Sequence, residues 1–191
     1  MSATPPAGAS QPLLRLRLGL PDREDATEIV RFYTVNREHL QPWSPTFPPA
    51  MLSVAFWREE ADRRRVEYEA GRELRCFVTT RQDCERVIGN VSLTQVTRGA
   101  SQACSLGYSL AADAQGHGYM LEAVRGMVDH AFGPLGLHRV MANYVPRNER
   151  SAAVLRRAGF TVEGYAREYL MINGRWEDHV MTAITNRAWG R

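Results

Sequence analysis

The chain has 191 residues, 44% hydrophobic and 24% charged, which suits one soluble globular domain with a sizeable core. Its net charge is only +3 and its basic residues form no single run, so direct nucleic-acid binding is not indicated. No apolar stretch approaches the ~20 residues that span a bilayer, which argues against a membrane partner. Cys76, Cys84 and Cys104 are odd in number and lack C-x-x-C spacing, so neither a disulfide framework nor a metal site is expected. Residues 1–12 have no basic region or apolar core and do not read as a signal peptide. A cytoplasmic protein with reduced thiols is the simple expectation.

Residues 1–11, rich in Pro, Ala, Gly and Ser, are expected to be a flexible arm, and residues 12–191 a single domain. Leu14, Leu16 and Leu18 alternate with Arg15 and Arg17, the pattern of a half-buried strand. Pro21-Asp22 opens a helix, with Asp22 as N-cap and Ala26, Ile29, Val30 and Tyr33 as its inner stripe. Pro42, Pro45, Pro48 and Pro49 then interrupt helical structure and leave Trp43 and Phe47 on an irregular segment. Ser53 caps a second predicted helix running to about Gly71, with Phe56 and Trp57 inward and the charged run 58–65 outward. Three strands follow, Leu74–Thr80, Val87–Thr97 and Ala103–Leu110, joined by polar turns as a meander.

The stretch from Leu106 to Met127 organises the rest. Leu106, Tyr108 and Leu110 alternate as the end of a strand, and Leu121, Val124, Met127, Val128 and Ala131 recur at helical spacing. Between them lies Gln115-Gly116-His117-Gly118-Tyr119-Met120. Unpaired backbone N–H groups at a helix start, together with the helix dipole, make such a loop a pyrophosphate cradle. No Lys or Ser/Thr follows Gly118, as a Walker loop requires, and Leu121 occupies the third glycine position of a dinucleotide fingerprint. The plain alternative is a strand-to-helix connection with glycines for tight turning. Beyond it come a strand Leu137–Val145 and a short helix from Asn148 to Ala158, ended by Gly159. A hairpin of Phe160–Ile172 and Arg175–Ile184 across Asn173-Gly174 closes the chain. The expected fold is a mixed α/β domain: one twisted sheet of about seven strands with helices on both faces.

Gln115-x-x-Gly118-x-Met120 resembles the acyl-coenzyme A loop of the GCN5-related N-acetyltransferase (GNAT) superfamily, with Met120 where Gly or Ala is common. Asn148-Glu-Arg-Ser151, followed by Leu155 and Gly159-Phe160, resembles the second signature, N-x-x-[SA]-x-x-[LY]-[LY]-x-x-x-G-F. Alone, Asn148 also fits a helix cap and Ser151 a first-turn surface residue. The two signatures in this order are far more specific. From about residue 12 onward the chain is similar to the RimJ/RimL group of ribosomal-protein N-acetyltransferases, including the segments 36–45, 138–152 and 155–183. The resemblance implies a GNAT fold in which the helix from Asn148 and the cradle strand ending at Leu110 splay apart, with coenzyme A in the V between them. It further implies acetyl transfer from acetyl-CoA to the N-terminal α-amine, alanine above all, of a ribosomal protein, with the ribosome as a candidate partner. Two other classes stay open: a small-molecule acetyltransferase for a polyamine, amino sugar or antibiotic, and a catalytically weak coenzyme A-binding regulator.

On this resemblance Tyr108, Ser109 and Leu110 offer backbone groups to the pantetheine arm and thioester, with the Leu110 N–H as oxyanion donor. Gly116, His117, Gly118, Tyr119, Met120 and Leu121 hold the pyrophosphate, and His117 either adds positive charge or faces solvent. Asn148 anchors the pantetheine or its loop. Asn143 stands where some relatives carry a Glu base, so Glu168 is the candidate base and Asn143 a water-orienting group. Leu155 stands where relatives often place a Tyr, which leaves Ser151 as the candidate proton donor to the departing thiolate. His39, Trp43, Phe47, Tyr165 and Tyr169 are the expected wall of the acceptor slot.

Overall fold

A computed structural model describes residues 15–190, so the predicted arm and Leu14 lie outside the described residues. The elements are β1 (Leu16–Gly19), α1 (Ala26–Val35), α2 (Arg37–Leu40), α3 (Val54–Glu69), β2 (Leu74–Thr80), β3 (Val87–Thr97) and β4 (Ala103–Leu110). They continue with α4 (Tyr119–Phe132), β5 (Arg139–Tyr144), α5 (Glu149–Ala158), β6 (Thr161–Ile172) and β7 (Arg175–Thr185). The strands form one seven-stranded sheet in the order β1-β2-β3-β4-β5-β7-β6. Every pairing is antiparallel except β4 with β5. A parallel pair needs a crossover, and α4 provides it. No helix among the described residues is long and apolar enough to cross a membrane.

Helices cover both faces, as the two hydrophobic periodicities require. On one face Tyr33 of α1 stacks on Trp57 of α3 at 5.3 Å, and Phe77 of β2 meets both rings edge-on. On the other face α4 buries Ala123, Val124, Met127 and Ala131. Fully burying a side chain such as Val124 or Met127 contributes roughly 1.5–3 kcal/mol. The inner stripe of α1 is Ala26, Ile29, Phe32 and Tyr33, so Phe32 takes the place predicted for Val30. Asp22 caps a short 3-10 turn that leads into α1, and Ser53 stands at the N-cap of α3 without a side-chain capping bond.

The charged run of α3 is not wholly solvated. Arg64 is buried, pairs with Glu60 at 2.9 Å, and lays its guanidinium 5.0 Å from Trp57 and 5.2 Å from Phe77. Aromatic faces attract a cation, and the Glu60 pair offsets its desolvation. Two glycines are needed for local geometry. A Cβ on Gly89 would stand 2.6 Å from the Ser109 carbonyl, so β3 and β4 can approach only with glycine there. The Asn173-Gly174 turn has φ of +47° and +76°, the left-handed pair that a two-residue hairpin demands.

Candidate active site

β4 and β5 pair only at Ala103–Ser105 against Arg139–Met141. Beyond Ser105 they part, although β4 runs on to Leu110 and β5 to Tyr144. The V thus opens between two strands, β4 and β5, rather than between β4 and the helix α5 as expected, and the start of α5 stands beside it. Ladder alternation determines which backbone groups line the gap. Ala111 N–H donates to the Ile88 carbonyl at 2.8 Å, and Ser109 lies opposite Asn90 in the same register. In an antiparallel pair alternate residues turn outward, so Ser109 bonds to β3 while Tyr108 and Leu110 turn their N–H and C=O groups into the gap. The Ser109 side chain is also engaged, accepting from Asn90 Nδ2 at 2.7 Å.

The loop at the open end is held from three sides. Gly116 and Gly118 have φ of +81° and +76°, and Gly118 is the N-cap of α4. Among the described residues, the backbone N–H groups of 116–121 find no protein acceptor, as expected for donors aimed at a ligand. Met120 sends its side chain into the core while its N–H stays at the loop. His117 is exposed and stacks on Tyr119 at 5.4 Å. Arg15, from the chain entering β1, donates to the His117 carbonyl at 2.8 Å and places its guanidinium 4.9 Å from the Tyr119 ring. Glu122 of α4 accepts from the Arg15 and Leu16 N–H groups and from Arg15 Nε. Its carboxyl is partly desolvated, and these donors prevail to hold it below the usual carboxylate range.

The start of α5 supplies the hydroxyl. Asn148 caps the helix, its Oδ1 accepting from Ser151 N–H at 3.1 Å, which fixes Ser151 in the first turn. Ser151 Oγ lies 2.7 Å from the Tyr108 hydroxyl across the gap. Burial pushes the Tyr108 phenol up to about 12, with the Ser151 hydrogen bond opposing, so it stays protonated near neutrality. Leu155 is buried in the core. The second hydroxyl of this site thus comes from β4. Alternation could identify Tyr108 as facing the helices, but not its partner 43 residues away.

A strap crosses the mouth on the α1 face. Asn36 Oδ1 accepts from Ala112 N–H at 3.0 Å, and Gln115 Nε2 meets His39 Nε2 at 2.9 Å. Arg150 Nη1 donates to Gln115 Oε1 at 2.7 Å, which turns the Gln115 NH₂ toward His39 and makes that ring nitrogen the acceptor. At its other end the strap meets the hairpin tip, where Asn173 N–H donates to the Ser44 carbonyl and Gln41 Nε2 to Asn173 Oδ1, both at 2.9 Å. Trp43, 38% exposed, lies under the Arg147 guanidinium at 5.5 Å. Phe47 packs on Tyr33 at 5.5 Å, partly buried against the core cluster.

Below the strap, Asn143 Nδ2 reaches the Tyr169 hydroxyl at 3.5 Å, and its Oδ1 accepts from Thr182 N–H at 3.3 Å. No hydrogen bond links Asn143 to Glu168 among the described residues. Glu168, at φ +46° on a bulge of β6, lines a cavity of about 360 Å³ with Tyr165, Trp176, Glu177 and Asp178. Tyr165 is there too, donating to Asp178 at 2.7 Å, so it stands away from Asn143. His179 of β7 was not singled out by sequence. It is buried, with its ring 5.4 Å from Tyr169. The available signal was a titratable residue alternating with Met181 and Ala183 on an inward strand face. No cluster that could hold a metal is found among the described residues.

A parting parallel pair beside an open N–H cradle, with a hydroxyl at its third edge, defines an acyl-transferase type of site. The Acetyltransferase (GNAT) domain family matches residues 15–161, and the chain belongs to that family; it is an N-acetyltransferase. The chain is 36% identical to the [ribosomal protein uS5]-alanine N-acetyltransferase of Escherichia coli K12, over 92% of this chain and 90% of the relative. Among solved structures, the ribosomal-protein-S5-alanine acetyltransferase of Vibrio fischeri superposes with TM-score 0.87 at 36% identity, covering 92% of this chain and 96% of the other. Mycobacterium smegmatis RimJ in complex with CoA-disulfide superposes at 0.83 and 28% identity, covering 96% and 91%.

Proposed function

We propose that this enzyme transfers the acetyl group of acetyl-CoA to the α-amine of an N-terminal alanine on a ribosomal protein. The observation that carries this reading is the gap between β4 and β5, which opens directly beside the unpaired N–H groups of 116–121. The residues present fit acetyl-CoA: the loop N–H groups and Gly118 suit its pyrophosphate, and Tyr108 and Leu110 offer ladder-type partners to its pantetheine amides. The thioester supplies the activated acyl carbon. Asn148 acts by capping α5 and fixing Ser151. The Leu110 N–H, turned into the gap, donates to the acyl oxygen as charge develops there. Ser151 Oγ donates a proton to the departing sulfur, and the Tyr108 hydroxyl at 2.7 Å supports that hydroxyl. Asn143 orients the acceptor side.

Chemistry favours an α-amine. Its pKa of about 8 leaves a useful neutral fraction at pH 7, whereas a lysine amine near 10.4 is almost wholly protonated. The strap and Trp43 wall the α1 side of the mouth and suit an extended peptide end; a slot closed at its far end admits only a small first side chain. One observation favours a polyamine instead: Glu168, Glu177 and Asp178 share a cavity. Two of those carboxylates are already engaged. Arg147 pairs with Glu177 at 2.7 Å, and Asp178 accepts from the Glu168 N–H and the Tyr165 hydroxyl. The test is an acceptor panel of alanine-, serine- and lysine-ended peptides, spermidine and an aminoglycoside. The alanine peptide is expected to give the highest kcat/KM. Efficient use of spermidine or the aminoglycoside without the peptide refutes the ribosomal-protein reading.

A further inference from the structure

The attacking amine must lose a proton, and no strong base stands beside Asn143. His179 lies close by, its ring 5.4 Å from that of Tyr169, whose hydroxyl meets Asn143. It is 3% exposed, and its Nδ1 donates to the Glu177 carbonyl at 2.9 Å, since a carbonyl can only accept. That bond fixes the ring, and in the neutral ring it leaves the lone pair on Nε2. Nε2 has no protein partner among the described residues, yet it is not among their sealed and unpartnered side-chain atoms. Tyr144 of β5 pairs with Val180, so His179 is the next residue of β7 toward the mouth of the V. One strand spacing, about 4.8 Å, separates it from the β5 edge of the gap. Asn143 pairs with Met181, and strand alternation puts His179 on that same face, where Tyr169 touches both Asn143 and the His179 ring. This is the face crossed by the strap.

We infer that His179 is the proton acceptor for the attacking amine, in place of Glu168. The inference rests on the acetyl-transfer reading of the gap. The neutral amine nitrogen bonds to the acyl carbon and the carbon–sulfur bond breaks, its electron pair leaving on sulfur. The amine's proton passes to His179 Nε2, directly or through one water, while sulfur takes the Ser151 proton. Solvent then carries the His179 proton away and returns one to Ser151, so the products are the acetylated amine and the free thiol. Charged and titratable neighbours of His179 are Tyr169 of β6 and, on β7 itself, Glu177 and Asp178.

His179→Asn keeps a donor for the Glu177 carbonyl and removes Nε2, so it separates the two roles of the ring. With the amine that the acceptor panel shows to be turned over, kcat is expected to fall about a hundredfold, with acetyl-CoA affinity and melting temperature held. The acid limb of the kcat–pH profile should disappear with it, and imidazole should restore part of kcat in His179→Ala. Glu168→Gln should change kcat little. Unchanged kcat in His179→Asn, or a loss that leaves the pH profile intact and is not relieved by imidazole, overturns the inference. So does a hundredfold loss confined to Glu168→Gln. Turnover of spermidine but not of peptide refutes the substrate alone, and the same variants then decide His179 on spermidine. Acetylation of no amine overturns both.

Discussion

The two halves of β4 have the same backbone and opposite fates. Ala103 and Ser105 are paired on both sides and Cys104 with β5, whereas Leu106–Leu110 are paired only with β3. Cys104 in the closed half is fully buried, while Tyr108 in the open half is half-buried and bonded across the gap. The difference is one of neighbours, not of strand propensity. β5 leaves β4 after three residue pairs, and every polar group that β4 then fails to pair becomes available to a ligand. A binding site is here the place where a ladder stops.

The largest effect should come from the loop at the open end. In Gly118→Val a β-branched side chain would have to adopt φ +76° at the N-cap of α4, with its Cβ 3.5 Å from Arg15. Acetyl-CoA binding is expected to weaken beyond about a hundredfold by calorimetry; undiminished affinity would remove the cradle from the site. A smaller and more selective effect is expected from Ser151→Ala. Turnover should drop about ten- to a hundredfold with acetyl-CoA affinity unchanged, because the hydroxyl is lost while the Asn148 cap on the Ser151 N–H remains. Equal turnover would return Ser151 to a helix-surface role.

The mildest test uses pH to compare the two halves directly. Burial raises Cys104 from 9.0, and Tyr108 from 10.0, to about 12. Above its ordinary value each group ionises in the unfolded chain while the folded protein keeps it neutral. The stability this contributes is therefore complete below pH 9 and lost progressively as pH rises toward 12. Melting temperature should accordingly fall from pH 9 upward. Tyr108→Phe should make the fall less steep only above pH 10, leaving the part due to Cys104, Cys76 and Tyr33. A profile flat through pH 11 in the wild type would contradict the burial of both halves.

Local pattern was enough for the elements themselves. The period of two in Leu106, Tyr108 and Leu110, the glycines of the loop and the 3.6 period of α4 describe strand, turn and helix without any distant residue. Asn173-Gly174 fixed its hairpin for the same reason, because left-handed backbone is a local demand. The order of the two acyl-transferase signatures was equally legible. Contacts between remote segments were not. Arg15 reaches Glu122 across 107 positions, Asn36 reaches Ala112 across 76, and Tyr108 finds Ser151 across 43. The burial of Arg64 depended on two aromatic rings brought together by α3 and β2. By itself the sequence determined the strands and the main helices, and the glycine loop between β4 and α4 that is expected to cradle an anion. Only the tertiary structure decided where β5 leaves β4, and hence which groups face the gap. It also decided that His179 stands on the Asn143 face, because the register of β5 and β7 is set by packing between strands.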